Sequence, residues 1–179
     1  MTDLDVSVYS SEQLRESRDS ENYMTFINTC FGTMHTKYHC FDTPRFSNMD
    51  EFYDDFKHPG SVLAVAREPG SCDIVAMGGY RPLDDHETAE LKCLCVNQQR
   101  AGEGYGGFMN GYVEKLAHDK GFRKMNSVVV RQHGNLVEFY QKLGYKKLEE
   151  RLLVAGGDDM GFGNVIDISI WFMQKDITA

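Results

Sequence analysis

Between Ala89 and Gly107 the chain reads AELKCLCVNQQRAGEGYGG, an apolar run followed within a few residues by four glycines in six positions. That order constrains the fold more than any other stretch. Glycine frees the backbone for tight and left-handed conformations, and helical spacing resumes directly after it: Phe108, Met109, Tyr112, Val113, Leu116 and Ala117 recur three or four residues apart. Gly121 stands where a left-handed cap would end this helix. Beyond it lies MNSVVV (Met125 to Val130), a β-branched run. Two strands separated by a helix pair in parallel, so the glycines mark a strand, loop, helix and parallel-strand unit.

The rest of the chain supplies antiparallel neighbours. LDVSVYS (Leu4 to Ser10) alternates as a first strand, and Ser10 or Ser11 caps the polar helical stretch after it. NYMTFINTCF (Asn22 to Phe31) continues it with an apolar helix expected to end near Gly32. Thr33 to Asn48 has no period and contains Pro44, which reads as a loop, and Asn48 or Asp50 caps a short helix through Phe56. SVLAVARE (Ser61 to Glu68) and DIVAMGGYRP (Asp73 to Pro82) are joined by PGSC, turn chemistry that favours a hairpin. After MNSVVV come a second helix, NLVEFYQKLGY, then KKLEERLLV, and a last strand in VIDISIWFMQKD with Ile166, Ile168 and Ile170 on one face. The expected fold is α/β (α+β): a mixed, mostly antiparallel sheet of about seven strands, flanked by about four helices, with one parallel pair at the glycine loop.

A chain of 179 residues reads as one domain, 1–179. Its 41% hydrophobic and 26% charged residues suit a soluble protein, and no apolar stretch is long enough for a membrane span. The N-terminus has neither the basic nor the apolar region of a secretory signal, so the expected compartment is the cytoplasm. Cys93 and Cys95 point to one face of a strand, but no second pair or histidine cluster completes a tetrahedral site; no metal is expected, and the five cysteines read as buried thiols. A formal charge of -8 argues against nucleic acid as a partner. Acidic residues gather in DEFYDDF (Asp50 to Phe56) and PLDDHETAE (Pro82 to Glu90), either as solvated faces or as a rim attracting a cationic substrate.

Two ligands compete for the loop. Gly102, Gly104 and Gly107 satisfy the dinucleotide pattern G-x-G-x-x-G, but that fingerprint expects an acidic residue ending the second parallel strand, where Val130 and Arg131 stand. Alternatively, successive N–H groups at the helix start cradle the pyrophosphate of coenzyme A. Here the chain resembles the GNAT superfamily of N-acetyltransferases, whose motif R/Q-x-x-G-x-G/A follows a strand ending in valine. Aligned on Val96, it covers Ala101, Gly102, Glu103, Gly104, Tyr105 and Gly106, with Gly107 next. KGF (Lys120 to Phe122) and EFYQKLGY (Glu138 to Tyr145), similar to a widespread FYxKLGF segment, extend the resemblance over about Ala64 to Leu148. Ala101 departs from the usual Arg or Gln, with Gln99 and Arg100 just before it, which implies weaker cofactor binding rather than none. His133 replaces a frequent Asn, and Asn135 lies two residues later; either is the cofactor contact.

The resemblance implies transfer of an acetyl group from acetyl-CoA to a primary amine, on a small molecule or a peptide, by direct attack in a ternary complex. It implies that the backbone of Leu94, Cys95 and Val96 holds the pantetheine and the thioester oxygen. Tyr140 matches the tyrosine that protonates the departing thiolate. Glu90 matches an acid taken as base or water organiser, with Asp84, Asp85 and His86 as auxiliary candidates. The acceptor walls are expected from Thr33 to Asn48, Asp158 to Asn164 and the N-terminal helices, and polyamine, aminoglycoside, amino acid and protein lysine stay open. Homodimers are common in such proteins. Two rival readings are a non-catalytic CoA-binding or regulatory module and, from G-x-G-x-x-G, a nicotinamide-dependent oxidoreductase.

Overall fold

The computed structural model describes residues 4–157 and 163–178. Seven strands form one sheet: β1 (Asp5–Ser10), β2 (Val62–Arg67), β3 (Ile74–Pro82), β4 (Thr88–Val96), β5 (Lys124–Val130), β6 (Lys146–Leu153) and β7 (Ile168–Asp176). Their lateral order is β1-β2-β3-β4-β5-β7-β6. Every pairing is antiparallel except β4 with β5. The last strand therefore lies inside, between β5 and the edge strand β6.

Five α-helices cover the two faces: α1 (Ser11–Glu16), α2 (Ser20–Thr36), α3 (Met49–Asp55), α4 (Tyr105–Asp119) and α5 (Gly134–Lys142). Short-range chemistry starts several of them. Ser10 and Gln13 form a reciprocal capping box on α1, and Asn48 caps α3 through the N–H of Glu51. α4 buries Met109, Val113 and Ala117 against β3 and β4, in a cluster with Ala64, Tyr80, Leu91 and Met125. Full burial of a Met or Val side chain is worth about 1.5–3 kcal/mol, which fixes this helix on the sheet. On the opposite face α1, α2 and α3 bury Leu14, Tyr23, Ile27 and Phe52 against Leu63, Val65, Met77, Cys93 and Cys95.

Three details depart from expectation. α2 runs through Gly32 to Thr36, because one more turn buries Met34 with Cys40, Leu153, Ile168 and Ile170. The N-terminal helical stretch breaks at Ser17, whose hydroxyl accepts from the N–H of Asp19, so it forms two helices and the described residues hold five where about four were expected. Ile166 stays outside β7 and is 40% exposed, while Ile168 and Ile170 are buried.

Candidate active site

β4 and β5 share only three rungs, Thr88 with Lys124, Ala89 with Met125 and Glu90 with Asn126. Beyond Glu90 the two strands part, and the β4 backbone on that side has no β5 partner. The other side of β4 slips as well: Gly79 faces Lys92 and Met77 faces Cys95, so Gly78 opposes both Cys93 and Leu94. This is a β-bulge, which bends a strand and re-aims the residues beyond it. Its left-handed residue is Cys93, at φ 53°. The bulge also turns the side chains over. Ala89 and Leu91 lie on the α4 face, whereas Cys93 and Cys95 lie in the cluster beneath α2 and α3.

After β4 the chain makes a short 3-10 turn, Gln98–Arg100, absent from the sequence expectations. Gly102 and Gly104 then adopt φ 88° and 89°, conformations that a Cβ disfavours. Gly104 is the N-cap of α4 and offers no side-chain cap. Unlike α1 and α3, this helix starts with backbone N–H groups left for something else, at the positive end of its dipole and with no acidic residue in its first turn. These are the features that an anionic phosphate group requires of a helix start.

Arg100 does not stand free beside that loop. Its guanidinium donates to Glu103 at 2.9 Å, to Glu68 at 2.7 Å and to the Tyr105 hydroxyl at 2.8 Å. The two carboxylates hold its pKa above the usual arginine range. Arg100 thus braces the loop and neutralises Glu103. Ala101 donates its N–H to Gln98 and the N–H of Glu103 goes to Arg100.

Tyr140 lies under the parted strands, 8% exposed on α5. Burial pushes its phenol up to about 12, the nearby Ser127 hydroxyl of β5 offsets part of that rise, and Cys95 is near enough to act on it electrostatically. Ser127, only 3% exposed, is a site residue that sequence reasoning missed; its one signal was a hydroxyl inside the β-branched MNSVVV. Leu94 and Val96 pack on the α4 side. The Val96 carbonyl accepts from the Cys30 thiol of α2 at 3.3 Å.

Glu90 stands at the fork, on the last parallel rung. Its carboxylate accepts from Arg81 at 2.8 Å and from Lys92 at 3.4 Å. Asp84, Asp85 and His86 lie on the β3–β4 turn, at the paired end of β4 and not with Tyr140. Asp85 accepts the N–H groups of Glu87 and Thr88 and the Thr88 hydroxyl, which lowers its pKa and makes it a turn brace. The DEFYDDF acids are similarly engaged: Glu51 accepts the N–H of Ser47, and Asp55 pairs with Arg45 and Lys92.

His133 is the N-cap residue of α5 without a side-chain cap, packs at a tilt on Tyr38 with ring centroids 4.9 Å apart, and leaves its buried Nδ1 without a partner. Burial lowers its pKa, so the ring is neutral at pH 7. Asn135 is exposed on the first turn of α5. The segment after α2 reaches across to β7: Phe41 bridges Asn164, and Val165 donates to the Cys40 carbonyl. Of the expected acceptor wall Asp158 to Asn164, residues 158–162 lie outside the described residues.

The sequence profile of the acetyltransferase (GNAT) family matches residues 26–145. No curated sequence matches the chain. Among solved structures, a putative acetyltransferase, yncA, from Salmonella typhimurium, determined with acetyl-CoA, superposes with a TM-score of 0.67 at 16% identity, covering 99% of this chain and 96% of that one. A ribosomal-protein-alanine N-acetyltransferase from Brucella melitensis gives 0.67 at 16% identity, over 97% and 99%. A putative phosphinothricin N-acetyltransferase gives 0.69 at 12% identity, over 99% and 100%. At these identities the likeness is one of fold. Antiparallel neighbours on both sides of the one parallel pair, together with the family match, overturn the nicotinamide reading of G-x-G-x-x-G.

Proposed function

The chain belongs to the acetyltransferase (GNAT) family and is an enzyme of acetyl transfer from acetyl-CoA; on that premise we propose that one domain, 1–179, acetylates a primary amine by direct attack in a ternary complex. The observation that carries this reading is the junction itself: β4 parts from β5 immediately before a helix that opens on a left-handed glycine without a side-chain cap. The N–H groups of Gly102 and of Gly104 to Gly107 take the pyrophosphate, that of Glu103 being held by the Arg100 carbonyl, and the β4 backbone from Leu94 to Val96 takes the pantetheine and the thioester oxygen. The amine nitrogen attacks the carbonyl carbon, the C–S bond breaks, and the thiolate receives a proton or a hydrogen bond from Tyr140. Glu90, already bound by two cations, orders a water that carries away the proton of the amine. Asn135 is free to contact the cofactor, while His133, packed on Tyr38, lines the acceptor wall.

The two cysteines of β4 support direct attack. Burial pushes Cys93 up to about 12 and raises Cys95 well above its usual value, so neither is a thiolate at neutral pH. Initial rates with both substrates varied should therefore intersect; parallel lines would point to an acyl-enzyme. The free thiols suit a cytoplasmic, reducing compartment, and among the described residues no helix is long and apolar enough to cross a membrane. The edge strand β6 leaves Leu148 and Leu152 60% and 59% exposed, which favours a homodimer and is tested by sedimentation.

The deciding experiment is calorimetry with acetyl-CoA and CoA, followed by an amine panel spanning polyamines, aminoglycosides, amino acids and lysine peptides, read by thiol release and product mass. Binding with turnover of one amine class supports the proposal. Binding without turnover of any favours the non-catalytic module, a reading that draws on the capture of Arg100 by Glu68 and Glu103.

A further inference from the structure

The bulge in β4 is fastened from outside the sheet. Asp55, the last residue of α3, accepts from Lys92 Nζ at 2.7 Å through Oδ1, while its Oδ2 takes the Cys93 thiol at 3.5 Å and Arg45 at 3.2 Å. Lys92 and Cys93 are consecutive, and in a regular strand they would face opposite ways; at the bulge one carboxylate holds both. The side chains of Asp55 and Lys92 are only 12% and 10% exposed, so this contact is shielded from water and strengthened by it. The pairs continue through Glu90 to Arg81, giving the alternating row Arg45, Asp55, Lys92, Glu90, Arg81.

Two facts make the clamp necessary. The left-handed first residue of such a bulge is ordinarily glycine, and Cys93 holds φ 53° with a side chain, a conformation that persists only when its surroundings enforce it. From Leu91 onward β4 has also lost β5, so its bend rests on β3, on the packing of its side chains and on the hold of Asp55 at the bulge. The residues whose direction depends on that bend are Leu94, Cys95 and Val96.

We infer that Asp55 is a positioning residue for acetyl transfer, clamping the Lys92–Cys93 step in its left-handed bulge and so aiming the Leu94–Val96 backbone at the thioester carbonyl. This role rests on the proposed site for the thioester. Its signature is discrimination between acetyl-CoA and CoA, which differ only in the acetyl group that replaces the thiol hydrogen.

The test is a cycle of wild type, Asp55→Asn, Cys93→Gly and the double variant, with affinities for acetyl-CoA and CoA by calorimetry and melting temperatures of the free proteins. Asp55→Asn should weaken acetyl-CoA about three- to tenfold more than it weakens CoA, the worth of one hydrogen bond, because both carry the pantetheine that lies along this backbone and only acetyl-CoA carries the carbonyl. Glycine adopts the bulge conformation unaided, so Cys93→Gly should restore most of that ratio and shrink the melting loss caused by Asp55→Asn. An unchanged ratio in Asp55→Asn, or effects that simply add, overturns the inference. If Asp55→Asn does not fold but the double variant does, the rescue supports the clamp; if neither folds, Asp55 serves the fold at large and the positioning role is wrong. A wild type that binds neither nucleotide overturns the acetyltransferase site instead, and the melting cycle alone then decides whether Asp55 holds Cys93.

Discussion

Replacing Tyr140 with Phe removes one oxygen from the place where the strands part. The residue is 8% exposed, and Ser127, itself 3% exposed, is close enough to act on its phenol. Losing one polar contact costs at most about 1 kcal/mol of stability, or roughly 2–4 °C in melting temperature for a chain of this length. The kinetic loss should be larger. With its phenol pushed up to about 12, Tyr140 lies about 3.5 pK units above an ordinary thiol near 8.5, so complete proton transfer is uphill by roughly 5 kcal/mol unless burial raises the thiolate as it raises Cys93. If Tyr140 only hydrogen-bonds the developing thiolate, its contribution is about 1.5–3 kcal/mol; as a full general acid it contributes about 10²–10⁴-fold. The ranges meet near a hundredfold fall in kcat, with acetyl-CoA affinity unchanged because the phosphates bind elsewhere. Because the acid form persists to about pH 12, Tyr140 contributes no alkaline limb to kcat below about pH 11. The assay is single-turnover thiol release at saturating acetyl-CoA, set against calorimetry. A fall in rate smaller than threefold with normal binding would refute Tyr140 as the proton donor.

Glu103→Gln should tighten acetyl-CoA a few-fold, since it removes a negative charge from the phosphate cradle and releases Arg100, and the gain should shrink at high salt; titration calorimetry at two ionic strengths checks it, and weaker binding would contradict the assigned cradle. Gly104→Ala meets no neighbour but forces a Cβ into φ 89°, a cost of about 1–2 kcal/mol, so melting should drop by several degrees and CoA binding should weaken; an unchanged melting temperature would argue against that backbone. Stability should decline as pH rises above about 9. Cys93, Cys95, Tyr140 and Tyr145 are all raised by burial from ordinary values of 9.0 or 10.0, so the unfolded chain loses these protons first and binds fewer than the folded one. Each group adds a slope of about 1.4 kcal/mol per pH unit between its two pKa values. Melting measured from pH 7.5 to 11 should flatten in Cys93→Ala, and a rise with pH would contradict the burial.

The sequence by itself determined what depends on neighbours a few residues away. Alternation placed the strands, Ser10 and Asn48 capped their helices, and a helix between AELKCLCV and MNSVVV required the parallel step. The glycine loop and EFYQKLGY carried the family, because glycines at fixed intervals at a helix start serve phosphate binding through local backbone geometry alone.

Tertiary structure decided what depends on residues distant in the chain. A period of two puts Ala89, Leu91, Cys93 and Cys95 on one face, yet the bulge sends the cysteines to the other, and such a slip is visible only against the register of β3. Arg100, next to the position that usually carries Arg or Gln, is met by Glu68, 32 residues earlier. DEFYDDF looked like a solvated face or a rim, but Asp55 turns inward to Lys92 because the sheet carries β4 beneath α3. Even the position of β7 between β5 and β6 is a choice of pairing that no local propensity records. Ion pairs, register and strand order are decided by which surfaces come within a few ångströms once the core is buried, and separation along the chain carries almost none of that information.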